Sequence, residues 1–93
     1  MRVKVRFFAS LRELIGKREE LVELKEGANL AMLLSEVSRC EEGVFRGLYD
    51  EAGNINDSLQ FLINGISARD VGGIAALLRD GDIVAIIPPV GGG

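Results

Sequence analysis

The chain has 93 residues, 47% hydrophobic and 27% charged, with a formal net charge of -3, no histidine and one cysteine. This balance fits one small globular domain with a single core and excludes a disordered chain, while the acidic excess argues against general nucleic-acid binding. A lone Cys40 excludes an intrachain disulfide, no Cys/His set exists for zinc or an iron–sulfur cluster, and the absence of histidine removes the Ser-His and Cys-His nucleophiles.

Met1-Arg2-Val3-Lys4-Val5-Arg6 alternates charged and apolar residues. That is the period of a strand and not the pattern of a signal peptide. With no segment long enough for a membrane span, the expected location is the cytoplasm. Val3, Val5 and Phe7 form the core face, so Phe8 falls on the outer face with Lys4 and Arg6, at the end of the strand. Ser10 with Glu13 has the form of a capping box ahead of Leu11, Leu14 and Ile15, and Gly16 supplies a stop. Glu19 to Lys25, carrying Leu21, Val22 and Leu24, pairs most simply with the first strand as a hairpin arm, and Gly27 breaks it.

Asn29 is a good N-cap for the clearest helix, in which Leu30, Leu33, Leu34 and Val37 recur at i, i+3, i+4 and i+7. Cys40, beside Arg39 and ahead of Glu41-Glu42, stands near its end and reads as a half-buried structural thiol rather than a reactive one. Residues 41–49 carry a weaker helical pattern interrupted by Gly43 and Gly47, and residues 50–58 have loop composition. Leu59 to Ile63 is a strand, Asn64-Gly65 has the residues of a type I′ turn, and Ile66 to Ala68 returns. Val71-Gly72-Gly73 is a flexible bend, Ile74 to Leu78 is short and of helical or extended type, and Asp80-Gly81 turns into the last strand.

Ile83 to Ile87 reads as a strand buried on both faces, because β-branched residues do not alternate with polar ones. Pro88 and Pro89 end it, since neither has an N–H for a sheet ladder. The expected organisation is a domain over residues 1–89 followed by a flexible glycine tail at 90–93, whose four residues reach about 13 Å when extended. A frayed terminus is the plainer reading of Val90-Gly91-Gly92-Gly93. The sharper one is a tail without side chains that enters a channel too narrow for a Cβ and offers its carboxylate to a partner enzyme. Likewise Arg2, Lys4, Arg6, Arg12, Lys17 and Arg18 crowd the first eighteen residues against Glu13 alone. A solvated charged face is the plainer account of them, and a surface for an acidic partner the alternative.

The element order gives a single-domain α+β roll, a β-grasp of the ubiquitin-like kind. One main helix packs across a mixed sheet, and the first and last strands are parallel central neighbours. Phe7-Phe8-Ala9, Leu11-Arg12-Glu13-Leu14 and Gly16, then Asn64-Gly65, Asp80-Gly81-Asp82 and Pro88-Pro89-Val90-Gly91-Gly92-Gly93, together resemble the MoaD/ThiS family of ubiquitin-like sulfur carriers, and within it most closely the small subunits of molybdopterin synthase.

That resemblance implies a carrier that binds no cofactor and is not itself the catalyst. Its terminal glycine, Gly93, would be adenylated by a ubiquitin-activating-type enzyme that uses ATP. A sulfur donor would then convert it to a thiocarboxylate. Gly91 and Gly92 would thread the active site of the molybdopterin synthase large subunit, and Phe8 and Ile87 would belong to the apolar patch that docks on partners. The sulfur would build the dithiolene that holds molybdenum or tungsten. The alternatives are a ubiquitin-like modifier joined to lysines, a carrier for thiazole or tRNA thiolation, and an interaction domain whose tail is incidental.

Overall fold

The computed structural model describes residues 1–40, 48–56 and 58–88. Five strands form one sheet in the order β2-β1-β5-β3-β4. Along the chain these are β1 (Arg2–Phe7), β2 (Glu19–Glu23), β3 (Gln60–Ile63), β4 (Ile66–Ser67) and β5 (Ile83–Ile87). Helix α1 (Ala9–Ile15) joins β1 to β2, and α2 (Leu30–Cys40) follows β2. β1 and β5 are parallel neighbours at the centre, with Val5 opposite Val84 and Phe7 opposite Ile86, while the β1–β2, β3–β5 and β3–β4 pairs are antiparallel. This is the expected β-grasp.

Alternation along β1 sets the core. Val3, Val5 and Phe7 are buried and pack with Val22, Val84, Ile86 and the apolar stripe Leu30, Leu33, Leu34 and Val37 of α2. The stripe falls on one side of the helix because its spacing follows the 3.6-residue turn. Asn29 caps the helix as its sequence suggests: its Oδ1 accepts the Met32 N–H at 2.9 Å.

Two expectations need correction. Ser10 lies inside α1, whose first turn has no side-chain cap; the Phe8 carbonyl instead accepts the Leu11 and Arg12 N–H groups at 3.1 and 3.4 Å. Gly16 does end the helix, left-handed at φ 81° and donating to the Arg12 carbonyl at 2.8 Å. Nor is β5 buried on both faces: Val84 and Ile86 are buried, but Ile83, Ala85 and Ile87 are only half-buried. Both helices cover the same face of the sheet, so consecutive β-branched residues here meet a packed core and an open side in alternation.

The Asn64-Gly65 turn has both residues at positive φ, 52° and 84°, as a type I′ turn requires. Asn64 also clamps the start of β5, since its N–H donates to the Ile83 carbonyl at 2.8 Å, its Oδ1 accepts the Ile83 N–H and its Nδ2 donates to Asp82 Oδ1, both at 2.9 Å. Residues 76–78 are extended against the start of α2, with the Leu30 N–H donating to the Ala76 carbonyl and the Leu78 N–H to the Ala28 carbonyl. Before them, Ala68–Asp70 and Gly73–Ala75 form two short 3₁₀ turns. The helical pattern at residues 41–47 and the thiol of Cys40 lie outside the described part, as do Pro89 and the tail.

Ile86→Ala is expected to cost about 2–5 kcal/mol, the range for emptying a packed core site. Ile87→Ala, one residue on and facing outward, should cost no more than about half of that. Chemical denaturation of the two variants checks this, and equal losses would show that both faces of β5 are core.

Candidate functional site

Because side chains alternate along a strand, fixing Val5, Phe7, Val84 and Ile86 inside fixes their neighbours outside. The outer face of the sheet therefore carries Arg2, Lys4 and Arg6 on β1, Ile83, Ala85 and Ile87 on β5, and Leu62 on β3 opposite Ala85. On β2, Leu21 stands opposite Lys4 and is 63% exposed. The basic side chains of β1 are matched across the hairpin: Arg2 with Glu23 at 3.3 Å, and Lys4 and Arg6 with Glu19 at 3.8 and 3.4 Å. No helix of the described residues is long and apolar enough to cross a membrane.

Phe8 occupies the critical corner. Its backbone is still extended, φ -123° and ψ 154°, so it continues the alternation of β1 on the outer side, and it is 40% exposed. The parallel register pairs Phe7 with Ile86, so one step further sets Phe8 beside Ile87. Phe8 and Ile87 each stand one residue beyond the last pair of the β1–β5 ladder. Gly91, Gly92 and Gly93 lie outside the described residues.

What holds Phe8 outward is the backbone on either side. The Phe7 N–H donates to the Arg18 carbonyl at 2.8 Å, and Ala9 turns the chain into α1 at φ 50°. A left-handed alanine is uncommon and costs on the order of 1–2 kcal/mol. It is tolerated here because the turn delivers Leu11 to the core, where it is buried.

Two hollows lie near this end of the sheet, neither of them lined by β5. On the β1 side, a cleft of about 310 Å³ is lined by Arg6, Phe7, Phe8, Arg12, Arg18 and Glu19. On the β3 side, an apolar cavity of about 310 Å³ is lined by Ile55, Leu59, Phe61, Ile74 and, from β3, Gln60, which pairs with Ile87. Sequence reasoning singled out neither the cleft nor the outward residues Ile83, Ala85, Leu21 and Leu62. The parity of β1 carried the missing signal, because a strand paired to β1 must share its alternation.

An extended end strand leaving the sheet between an exposed aromatic and two hollows is suited to presenting the residues that follow it to another protein. Residues 5–93 match the model of the ThiS family. The chain belongs to the ThiS family. This ThiS-family chain is 33% identical over 93 residues to the molybdopterin synthase sulfur carrier subunit of Chlamydomonas reinhardtii and 31% identical over 93 residues to small archaeal modifier protein 3 of Haloferax volcanii, with all of both chains covered in each case. Among solved structures, small archaeal modifier protein 1 of Methanosarcina acetivorans superposes with a TM-score of 0.84 at 32% identity, covering 99% of this chain and 96% of that one. Its family is that of the ubiquitin-like sulfur carriers, as the resemblance implied.

Ala9→Gly is expected to leave the melting temperature unchanged or to raise it by a few degrees, because glycine adopts positive φ freely. Ala9→Val, β-branched in the same conformation, should lower stability by about 1–2 kcal/mol. Thermal melts of the two variants decide it. Equal losses would show that the methyl group matters and the backbone conformation does not.

Proposed function

We propose that this chain is the sulfur-carrying small subunit of a molybdopterin synthase, with the carboxylate of Gly93 as the group that is activated and sulfurated. The observation that carries the reading is Phe8, 40% exposed just past the end of β1, whose last residue pairs with Ile86 near the end of β5, in a chain that closes Val90-Gly91-Gly92-Gly93. An exposed apolar contact there gives a partner something to grip while residues without side chains pass into a narrow channel.

The chemistry follows from the acyl group. A carboxylate is a poor electrophile, so one of its oxygens bonds to the α-phosphorus of ATP on the adenylating partner and pyrophosphate leaves. A persulfide on the donor protein then attacks the acyl carbon and AMP departs with the C–O bond electrons; a thiol next cleaves the S–S bond of the resulting acyl disulfide, leaving the thiocarboxylate and a disulfide between that thiol and the donor. Its ionised sulfur is the nucleophile that attacks the pterin precursor in the large subunit, as thiolates are in proteins generally. The carrier contributes position, a rigid strand root and a docking face, and the catalytic groups belong to its partners. The identity with the Chlamydomonas reinhardtii subunit supports this pathway.

A second reading has support of its own, because relatives named small archaeal modifier proteins match the whole chain or nearly all of it. In that reading the same adenylated Gly93 is joined to lysine amines. A glycine remnant on lysines of other proteins, detected in extracts and absent when the carrier is removed, would favour the modifier.

Incubation with ATP, the adenylating enzyme and a sulfur donor is expected to shift the intact mass by one oxygen-to-sulfur exchange at Gly93. An unchanged mass would count against the carrier role. Deleting Gly93 should abolish sulfur transfer without changing the melting temperature. Phe8→Ala, in turn, should weaken partner binding about tenfold, equivalent to about 1.4 kcal/mol, with the fold intact. Titration calorimetry against the large subunit measures it, and a collapse in stability instead would show Phe8 to be a core residue.

A further inference from the structure

The cleft beside Phe8 carries an electrostatic imbalance that the ion pairs of β1 do not. Among the groups that line it, Arg6 and Glu19 are paired with each other at 3.4 Å, and Glu19 is further held by Lys4 at 3.8 Å. Arg12 and Arg18 have no carboxylate partner among the described residues, so two guanidinium groups face the same hollow uncompensated in a chain whose net charge is -3. Backbone hydrogen bonds bring both to that place. The Arg12 N–H donates to the Phe8 carbonyl and the Arg18 carbonyl accepts from the Phe7 N–H, which ties each to the residue pair at the end of β1.

Resting on the carrier reading above, we infer that the Arg12–Arg18 cleft receives a carboxylate-bearing segment of the adenylating partner, and so fixes where that enzyme seats on the root of the tail. Charge complementarity selects the occupant. Guanidinium groups present planar forks that match carboxylates, and Phe8 in the lining of the same cleft favours an acidic side chain flanked by an apolar one over a free ion. A nucleic-acid backbone fits poorly, because Glu19, Glu20, Glu23 and Glu26 follow immediately along the chain and would repel it. The nucleotide is excluded by reach. Six residues extended into a partner's channel would span about 20 Å, so the reacting carbonyl and the phosphate it meets are far from a cleft at the end of β1. The contact therefore acts on docking and leaves the chemical step alone.

Adenylation by the enzyme of the same organism, followed as pyrophosphate release, tests this with wild type, Arg12→Gln with Arg18→Gln, the same pair changed to Glu, and Arg2→Gln as a control. Arg2 lies at the opposite end of β1, paired with Glu23. The neutralised pair should raise KM for the carrier about tenfold or more with kcat unchanged, the reversed pair should raise it further, and the control should stay within about twofold of wild type. Raising the salt concentration should raise the wild-type KM steeply and the KM of the neutralised pair only slightly. The single variants, both at exposed positions, give the same readout should the double variant fold poorly. Wild-type KM values in the neutralised pair, an equal rise in the control, or a loss confined to kcat would each overturn the inference. Failure of wild type to be adenylated at all would overturn the carrier reading instead.

Discussion

Parallel pairing of β1 with β5 in the middle of the sheet is the constraint from which the rest follows. Parallel strands cannot be joined by a tight hairpin, so between Phe7 and Ile83 the chain must cross from one side of β1 to the other, adding β2 on one flank and β3 and β4 on the other. That crossover carries α2, which closes the core face with Leu30, Leu33, Leu34 and Val37. Because both helices lie on one side, the other side of the same strands stays open. And because β5 is central, the residues that follow it emerge beside Phe8 on one flank and Gln60 on the other.

The two faces differ in what they contribute to stability, and magnitudes show by how much. Each buried aliphatic or aromatic side chain of the core contributes about 1.5–3 kcal/mol, and β1 and β5 alone supply Val3, Val5, Phe7, Val84 and Ile86. The outer ion pairs of Arg2, Lys4 and Arg6 are solvated and of the kind that contributes about 0–1 kcal/mol. Substitution on the outer face is therefore free to follow a partner's surface without threatening the fold. Glu19 has a second use, since by holding both Lys4 and Arg6 it leaves Arg12 and Arg18 as the positive charge without a carboxylate partner among the described residues at the end of β1.

Much of this was legible in the residues themselves. The alternation of Val3, Val5 and Phe7, the stripe of α2, the Asn29 cap and the Asn64-Gly65 turn all depend on local spacing or local backbone preference, and each is found where the sequence puts it. The outward position of Phe8 followed from the same parity. What was not legible depends on distant partners. Ile83 to Ile87 contains no polar residue to mark its open side, so its asymmetry appears only once both helices are known to lie on the other face. Ser10 lost its cap because Ala9 takes a left-handed conformation that no local rule assigns to alanine. Residues 76–78 are extended because they pair with Ala28 and Leu30, nearly fifty positions earlier. The cleft of Arg12 and Arg18 is assembled by hydrogen bonds to Phe7 and Phe8, a proximity that a linear reading of basic residues could not separate from an ordinary charged surface.

The clamp that Asn64 makes on Ile83, together with the parallel ladder to β1, also has a mechanical meaning. A pull on the carboxyl end against the amino end drags β5 lengthwise along β1, so the rungs between them are loaded together in shear and do not peel apart one after another. Tension on the carboxyl end is thereby borne by the strand best placed to resist it.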